Sequence, residues 1–224
     1  MSLAMTLPSR FIEITQRISA YVDRRWLSSL VIGDLLFVLF HLAHQRWWPE
    51  ERMFSLMQDR SYAEMFQYCK TLTIALLLGD LARRQRDNLW LMWSVLFTYL
   101  LLDDILGIHE GIGVWLTDHC STFAAADELG HAFGELAYFA ILGSAWTIGY
   151  VIILTRGHGL NTAHTELAAL FSILVMFGAG ADLLNSIGGG RGWRGLALLE
   201  GGGSMMSMSL IVAYVIPLTR KTCN

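Results

Sequence analysis

Apolar residues gather into long runs separated by short polar breaks, and the breaks carry the usual punctuation of helices. Residues 9–25 place Phe11, Ile14, Ile18, Tyr21 and Val22 at helical spacing, with Arg10, Arg17 and Arg24 elsewhere on the wheel. That pattern predicts a short amphipathic helix lying on a membrane surface. A first span follows, from about Trp26 to His44. Residues 50–66 form a second amphipathic stretch. "SYAE" puts Ser61 three residues before Glu64, a capping-box signature, and predicts a helix from there to about Arg84. Asp87 or Asn88 can cap a third span, roughly 89–110. Ser121 or Thr122 can cap a fourth, to about Thr155. Asn161 or Thr162 can start a fifth, roughly 164–186. "GGGRGWRG" then turns the chain into a sixth, about 197–217.

The expected fold is therefore all-α. It is a polytopic membrane bundle of about six transmembrane helices plus short amphipathic surface helices. Residues 1–25 form the interfacial helix and 26–218 the bundle. Composition agrees, with 54% hydrophobic and only 16% charged residues, where a soluble domain carries about a quarter charged. The net charge of −3 is small and says nothing about nucleic acid, but no basic patch with interleaved aromatics appears, so no nucleic-acid partner is expected. Cys69, Cys120 and Cys223 show neither disulfide-framework nor zinc-knuckle spacing. The expected partners are membrane lipid and a membrane-protein partner or a second copy of the chain.

Six spans put both termini on one side. Ten of the 16 Lys and Arg residues fall on the side of the termini and six on the other, and the loop at 111–121 has none. The positive-inside rule then predicts cytoplasmic termini in a cell inner membrane. Most of the eight tryptophans fall near predicted helix ends, as interface anchors do.

With that topology, ionisable residues from five helices converge at the extracytoplasmic level. The third span ends in "LLDDILGIHEG", with Asp103, His109 and Glu110. The fourth begins with "DELGHAFGE", with Glu128, His131 and Glu135. The fifth ends with Asp182 and Asn185, the sixth begins with Glu200, and the first ends with His41 and His44. Seven residues return a helix to within about 20° of its starting direction, so Asp103 and Glu110 share a face. Glu128, His131 and Glu135, three and four apart, share another. Glu200, Ser204 and Ser207 form a third stripe.

Crowded carboxylates repel unless a cation lets them ionise, and carboxylates mixed with imidazole suit iron, zinc or manganese. Glu128-x-x-His131 is the spacing that di-metal carboxylate bundles use. Asp103, His109, Glu110, Glu128, His131, Glu135, Asp182 and Glu200 are the candidate ligands of a divalent metal. No catalytic residue beyond them is assigned. The bland readings stand beside this one. Asp118, His119 and Asp127 are expected to be solvated, Asp80 to pair with Arg83 or Arg84, and His41 and His44 to cap as readily as to ligate. The methionines of "GGGSMMSMSL" are expected to pack, and Gly201 to Gly203 to permit close helix contact.

The DD-x4-HE helix end, followed by a Glu/His helix and a late acidic helix start, resembles a loose group of uncharacterised bacterial multi-pass membrane proteins over roughly residues 90–215. That resemblance implies a membrane bundle and no particular reaction. Ceramidase-like membrane hydrolases carry an H-x-x-x-H pair that is missing here. Rhodopsins need a lysine in the last helix, and the two lysines here, Lys70 and Lys221, are not placed for one. Three functions stay open. They are a metal-dependent membrane enzyme acting on a lipid-like substrate (a hydrolase or a di-metal oxidoreductase), a cation- or proton-handling protein, and a non-catalytic subunit of a larger membrane complex. Proton handling is disfavoured because the cytoplasmic half offers only Asp80 and serines as polar stations.

Overall fold

The computed structural model describes residues 7–56, 58, 60–119, 127–155, 162–180, 184 and 194–221. Among them are eight α-helices: α1 (Leu7–Tyr21), α2 (Arg24–Trp47), α3 (Tyr62–Gln85), α4 (Asn88–Leu106), α5 (Ile108–His119), α6 (Asp127–Thr155), α7 (Thr162–Phe177) and α8 (Arg194–Lys221). A single 3-10 turn, Arg52–Phe54, follows α2.

The helix starts follow the capping residues. Asp23 accepts from the Arg25 amide at the head of α2, Ser61 from the Glu64 amide at the head of α3, and Asp87 from the Leu89 amide at the head of α4. Each oxygen satisfies one of the orphan donors that a helix start leaves free. Glu64 completes its part in the cap by accepting from the Arg60 amide, one residue earlier than a capping box requires.

α8 is the central helix and packs on α2, α3 and α7, while α3 lies flat against α4. The fully buried core comes from Ile74, Leu78 and Leu81 of α3, Trp90, Trp93 and Phe97 of α4, Leu167 of α7, and Ile211 and Tyr214 of α8. The chain's two ends can be told apart by contacts. At the Asp23 end, the Asp23 amide donates to the Ala213 carbonyl, Arg220 pairs with Asp23, and His164 at the start of α7 meets Asp87 at the start of α4. At the Asp103 end, the Leu56 amide donates to His41 Nδ1 of α2, and Phe177 of α7 lies against Gly203 of α8.

Among the described residues, four helices are long and apolar enough to cross a membrane: Arg24–Trp47, Asn88–Leu106, Phe133–Thr155 and Leu198–Arg220. Their outward surfaces expose Ile32, Leu39, Ile141 and Ile148 at 59%, 60%, 70% and 60%. A surface this apolar needs an apolar medium, and it points to membrane association. Of the six expected spans, these four meet that length and composition, and α7 is a shorter apolar helix. α3 falls short because it carries Lys70, Asp80, Arg83 and Arg84; of these only Lys70 is neutralised inside the bundle, by Asp34. Asp80 pairs with both arginines, as expected.

Three further expectations change. The third span does not run to residue 110. Gly107 adopts φ +62° and closes α4, its amide donating to the Asp103 carbonyl, and only glycine takes that left-handed conformation without cost. The expected loop at 111–121 is helical through His119, as α5. Trp90 and Trp93 are core residues and not interface anchors, with Trp93 packed on Trp146 at 4.6 Å between ring centroids. Met205 and Met208 pack in the core as expected.

Candidate metal centre and the buried ion pair

The break at Gly107 determines the geometry of the Asp103 end. Had α4 continued, Asp103 and Glu110 would share a face. Instead the chain turns, and His109, not Glu110, reaches back to Asp103, donating from Nδ1 to Oδ2 at 2.9 Å. Glu110 is corrected to an outlying position. Its side chain is 56% exposed, its Oε1 lies 4.0 Å from His109 Nε2, and it folds over Gly107.

Asp103 is fully buried, and its second oxygen accepts from the Tyr138 hydroxyl of α6 at 2.8 Å. Tyr138 in turn meets the Tyr99 hydroxyl, and the His109 ring packs on Phe139 with centroids 5.4 Å apart. Tyr68 of α3 brings its hydroxyl to Glu64 at 2.5 Å and to the Asp104 carbonyl at 3.4 Å. Four helices thus surround one spot. Among the described residues, Asp103, Asp104 and His109 form the one His/Cys/Asp/Glu group whose ligand atoms all lie within 4.8 Å of one another. Such a group could hold a metal ion. A carboxylate hydrogen-bonded to one imidazole nitrogen fixes the ring and leaves the other nitrogen to ligate, and Asp103 is placed to do this for His109.

Of the eight predicted ligands, the structure brings together Asp103 and His109 and adds Asp104, which the spacing argument passed over. Glu135 and Glu200 are half-buried and not part of this group. Glu128 and His131 stand on α6, but their side chains lie outside the described residues, as does Asp182 altogether. His41 and His44 are buried and structural. His41 accepts from the Leu56 amide, and His44 donates to the Trp48 carbonyl at 2.5 Å, so both tie the end of α2 to the chain that follows it.

The larger omission is at mid-depth. Lys70 of α3 is 3% exposed and Asp34 of α2 is 0% exposed. Their charged atoms are 2.7 Å apart. The ammonium also donates to the Met205 carbonyl at 2.9 Å and to Ser209 Oγ at 3.2 Å, and Ser209 donates to the other Asp34 oxygen at 2.5 Å. All three ammonium protons are used, and both carboxylate oxygens accept. Lys70, one of the six cations expected on the side away from the termini, is therefore a buried helix charge, and that count drops to five. Further toward the Asp23 end, Tyr214 donates to buried Glu166 at 2.6 Å. The bundle interior thus holds polar stations beyond Asp80 and the serines expected there. Opposite charges in two adjacent apolar helices, each about ten residues in from a helix end, were the available signal.

Fold and site define an all-α, membrane-associated helix bundle with an acidic and histidine cluster at one end. Residues 29–218 match a family described as a domain of unknown function (DUF8692), and the chain belongs to that family. No curated protein and no solved structure matches it.

Proposed function

We propose that this chain is an integral membrane protein that binds a divalent metal at the Asp103 end of its bundle and uses it on a lipid-like substrate. The single observation that carries this reading is the Asp103, Asp104 and His109 group. His109 and Asp104 would hold the ion, with Asp103 and Tyr138 orienting the imidazole from behind. A bound metal would supply an activated water for hydrolysis or, with a second ion, a site for oxidation. Sequence register supports the second set of ligands. Glu128, His131 and Glu135 precede Tyr138 by ten, seven and three residues, spacings that keep one helical face. In this reading α3 and α7 also cross the membrane, the termini are cytoplasmic in a cell inner membrane, and the metal faces outward.

Elemental analysis of detergent-purified protein tests it. Wild type should carry at least one equivalent of iron, zinc or manganese. Asp104→Ala with His109→Ala should lose it, while His119→Ala, on the exposed end of α5, should keep it. Glu128→Gln with His131→Ala separates one metal from two. Metal-free wild type, or equal metal in the Asp104/His109 variant, would sink the proposal.

The second reading is proton or cation handling, and the buried Asp34–Lys70–Ser209 network favours it. Charges inside a membrane bundle mark ion pathways more often than scaffolding. In proteoliposomes it predicts proton flux that Asp34→Leu with Lys70→Met abolishes without changing metal content. Equal flux in variant and wild type removes this reading.

A further inference from the structure

A groove of about 500 Å³ opens to the outside of the bundle between α2, α3 and α8. Leu30, Phe66, Leu77 and Ile216 line its walls, the stem of Lys70 closes its deep end, and Trp26 and Arg220 stand at its mouth. On α2, Trp26 at the mouth stands eight residues before Asp34, the partner of Lys70. At 1.5 Å per residue that is about 12 Å, within the roughly 15 Å hydrocarbon depth of one leaflet. The groove therefore has the length of one acyl chain lying along the membrane normal, not that of a compact polar ligand.

The mouth specifies the headgroup. Arg24 and Arg25 in the first turn of α2 are exposed, and Arg220 is 62% exposed at its side chain. The acid beside them, Asp23, accepts from Arg220 at 3.1 Å and from the Arg25 amide at 3.1 Å. Three cations against one carboxylate leave a positive excess at the level where Trp26, 45% exposed, would sit among headgroups. Cationic side chains at that level attract anionic lipid.

We infer that this groove is a binding site for one anionic phospholipid, its phosphate at the Arg220 mouth and one acyl chain along Leu30, Leu77 and Ile216 toward Lys70. The inference rests on the membrane-spanning reading and is independent of the metal. Lys70 already has three partners, so the deep end offers an aliphatic stem and not a free charge. The lipid would fill the gap between α2 and α3 beside the ion pair.

The test is native mass spectrometry of the full chain released from mixed micelles of phosphatidylglycerol and phosphatidylcholine with matched acyl chains. Wild type should retain one phosphatidylglycerol with a preference of roughly threefold or more. Arg220→Gln should bring the preference close to unity. Ile216→Trp, which fills the groove, should remove retention of both lipids. If Ile216→Trp fails to fold, Arg220→Gln decides alone. Equal retention of the two lipids by wild type, or wild-type preference in Arg220→Gln, overturns the site. Carbonate washing of the source membranes separates the two failures. A chain that washes off has lost the membrane reading itself. A chain that stays integral yet shows no preference has lost only the lipid site.

Discussion

Lys70→Met should destabilise the bundle by about 3–5 kcal/mol, the cost of leaving a buried charge without its partner. Asp34 is fully buried on α2 and accepts a hydrogen bond from the Lys70 ammonium at 2.7 Å. With Lys70 removed, its oxygens keep only the Ser209 hydroxyl, and the Met205 carbonyl loses a donor as well. Asp34→Leu alone should cost a similar amount, because it strands the ammonium. The double variant, Asp34→Leu with Lys70→Met, should recover most of the loss, since an apolar pair of similar volume removes both desolvation costs together. Ser209→Ala deletes two hydrogen bonds, one to each charge, and should cost at least the worth of one such bond, about 1.5–3 kcal/mol. Chemical unfolding in mild detergent measures all four. If each single variant unfolds like wild type, the network does not hold α2, α3 and α8 together. If the double variant falls as far as the sum of the singles, the two charges act independently and the pair is not the unit of stability.

That network also shows where the sequence could and could not be read. Capping residues located the starts of α3 and α4 to within a residue or two, because Ser61 and Asp87 act on amides two or three positions away, and such effects are written locally. The pairing of Asp34 with Lys70 is not local. It depends on α2 and α3 both facing α8 at one depth, and no spacing rule within a helix contains that. Of the site, Asp103 and His109 were legible as a helix-end cluster. The exchange of Glu110 for His109 was not, since it turns on Gly107 closing α4 in the left-handed conformation. A glycine inside an apolar run reads equally as a packing notch or a stop. Tyr138 went unnoticed because a tyrosine in a spanning helix reads as an interface residue until its hydroxyl is seen on Asp103.

Gly134→Ala should separate α5 from α6 and weaken the proposed metal centre with them. A Cβ built at Gly134 would lie 2.8 Å from the Gly113 carbonyl oxygen and 3.0 Å from its Cα. Those atoms are backbone and cannot rotate aside, so one helix must move. Gly203 makes the useful contrast. A Cβ there would meet the Phe177 ring at 2.4 Å, a closer clash on paper, but with a side chain that has rotamers to exchange. Overpacking of this kind costs about 1–3 kcal/mol, and Gly134→Ala should fall at the upper end, with Gly203→Ala below it. The consequence for function follows from register. Tyr138 and Phe139 stand one turn beyond Gly134 on α6, and they hold Asp103 and the His109 ring. Moving α6 away releases both, so His109 loses the ring that packs on it and Asp103 loses a donor. Gly134→Ala should therefore lower metal content in purified protein, while Gly203→Ala, on α7 and α8, should lose stability alone. Thermal unfolding paired with elemental analysis of the two variants reads both quantities. Full metal occupancy in a destabilised Gly134→Ala would show that the α5–α6 contact supports the fold without positioning the centre.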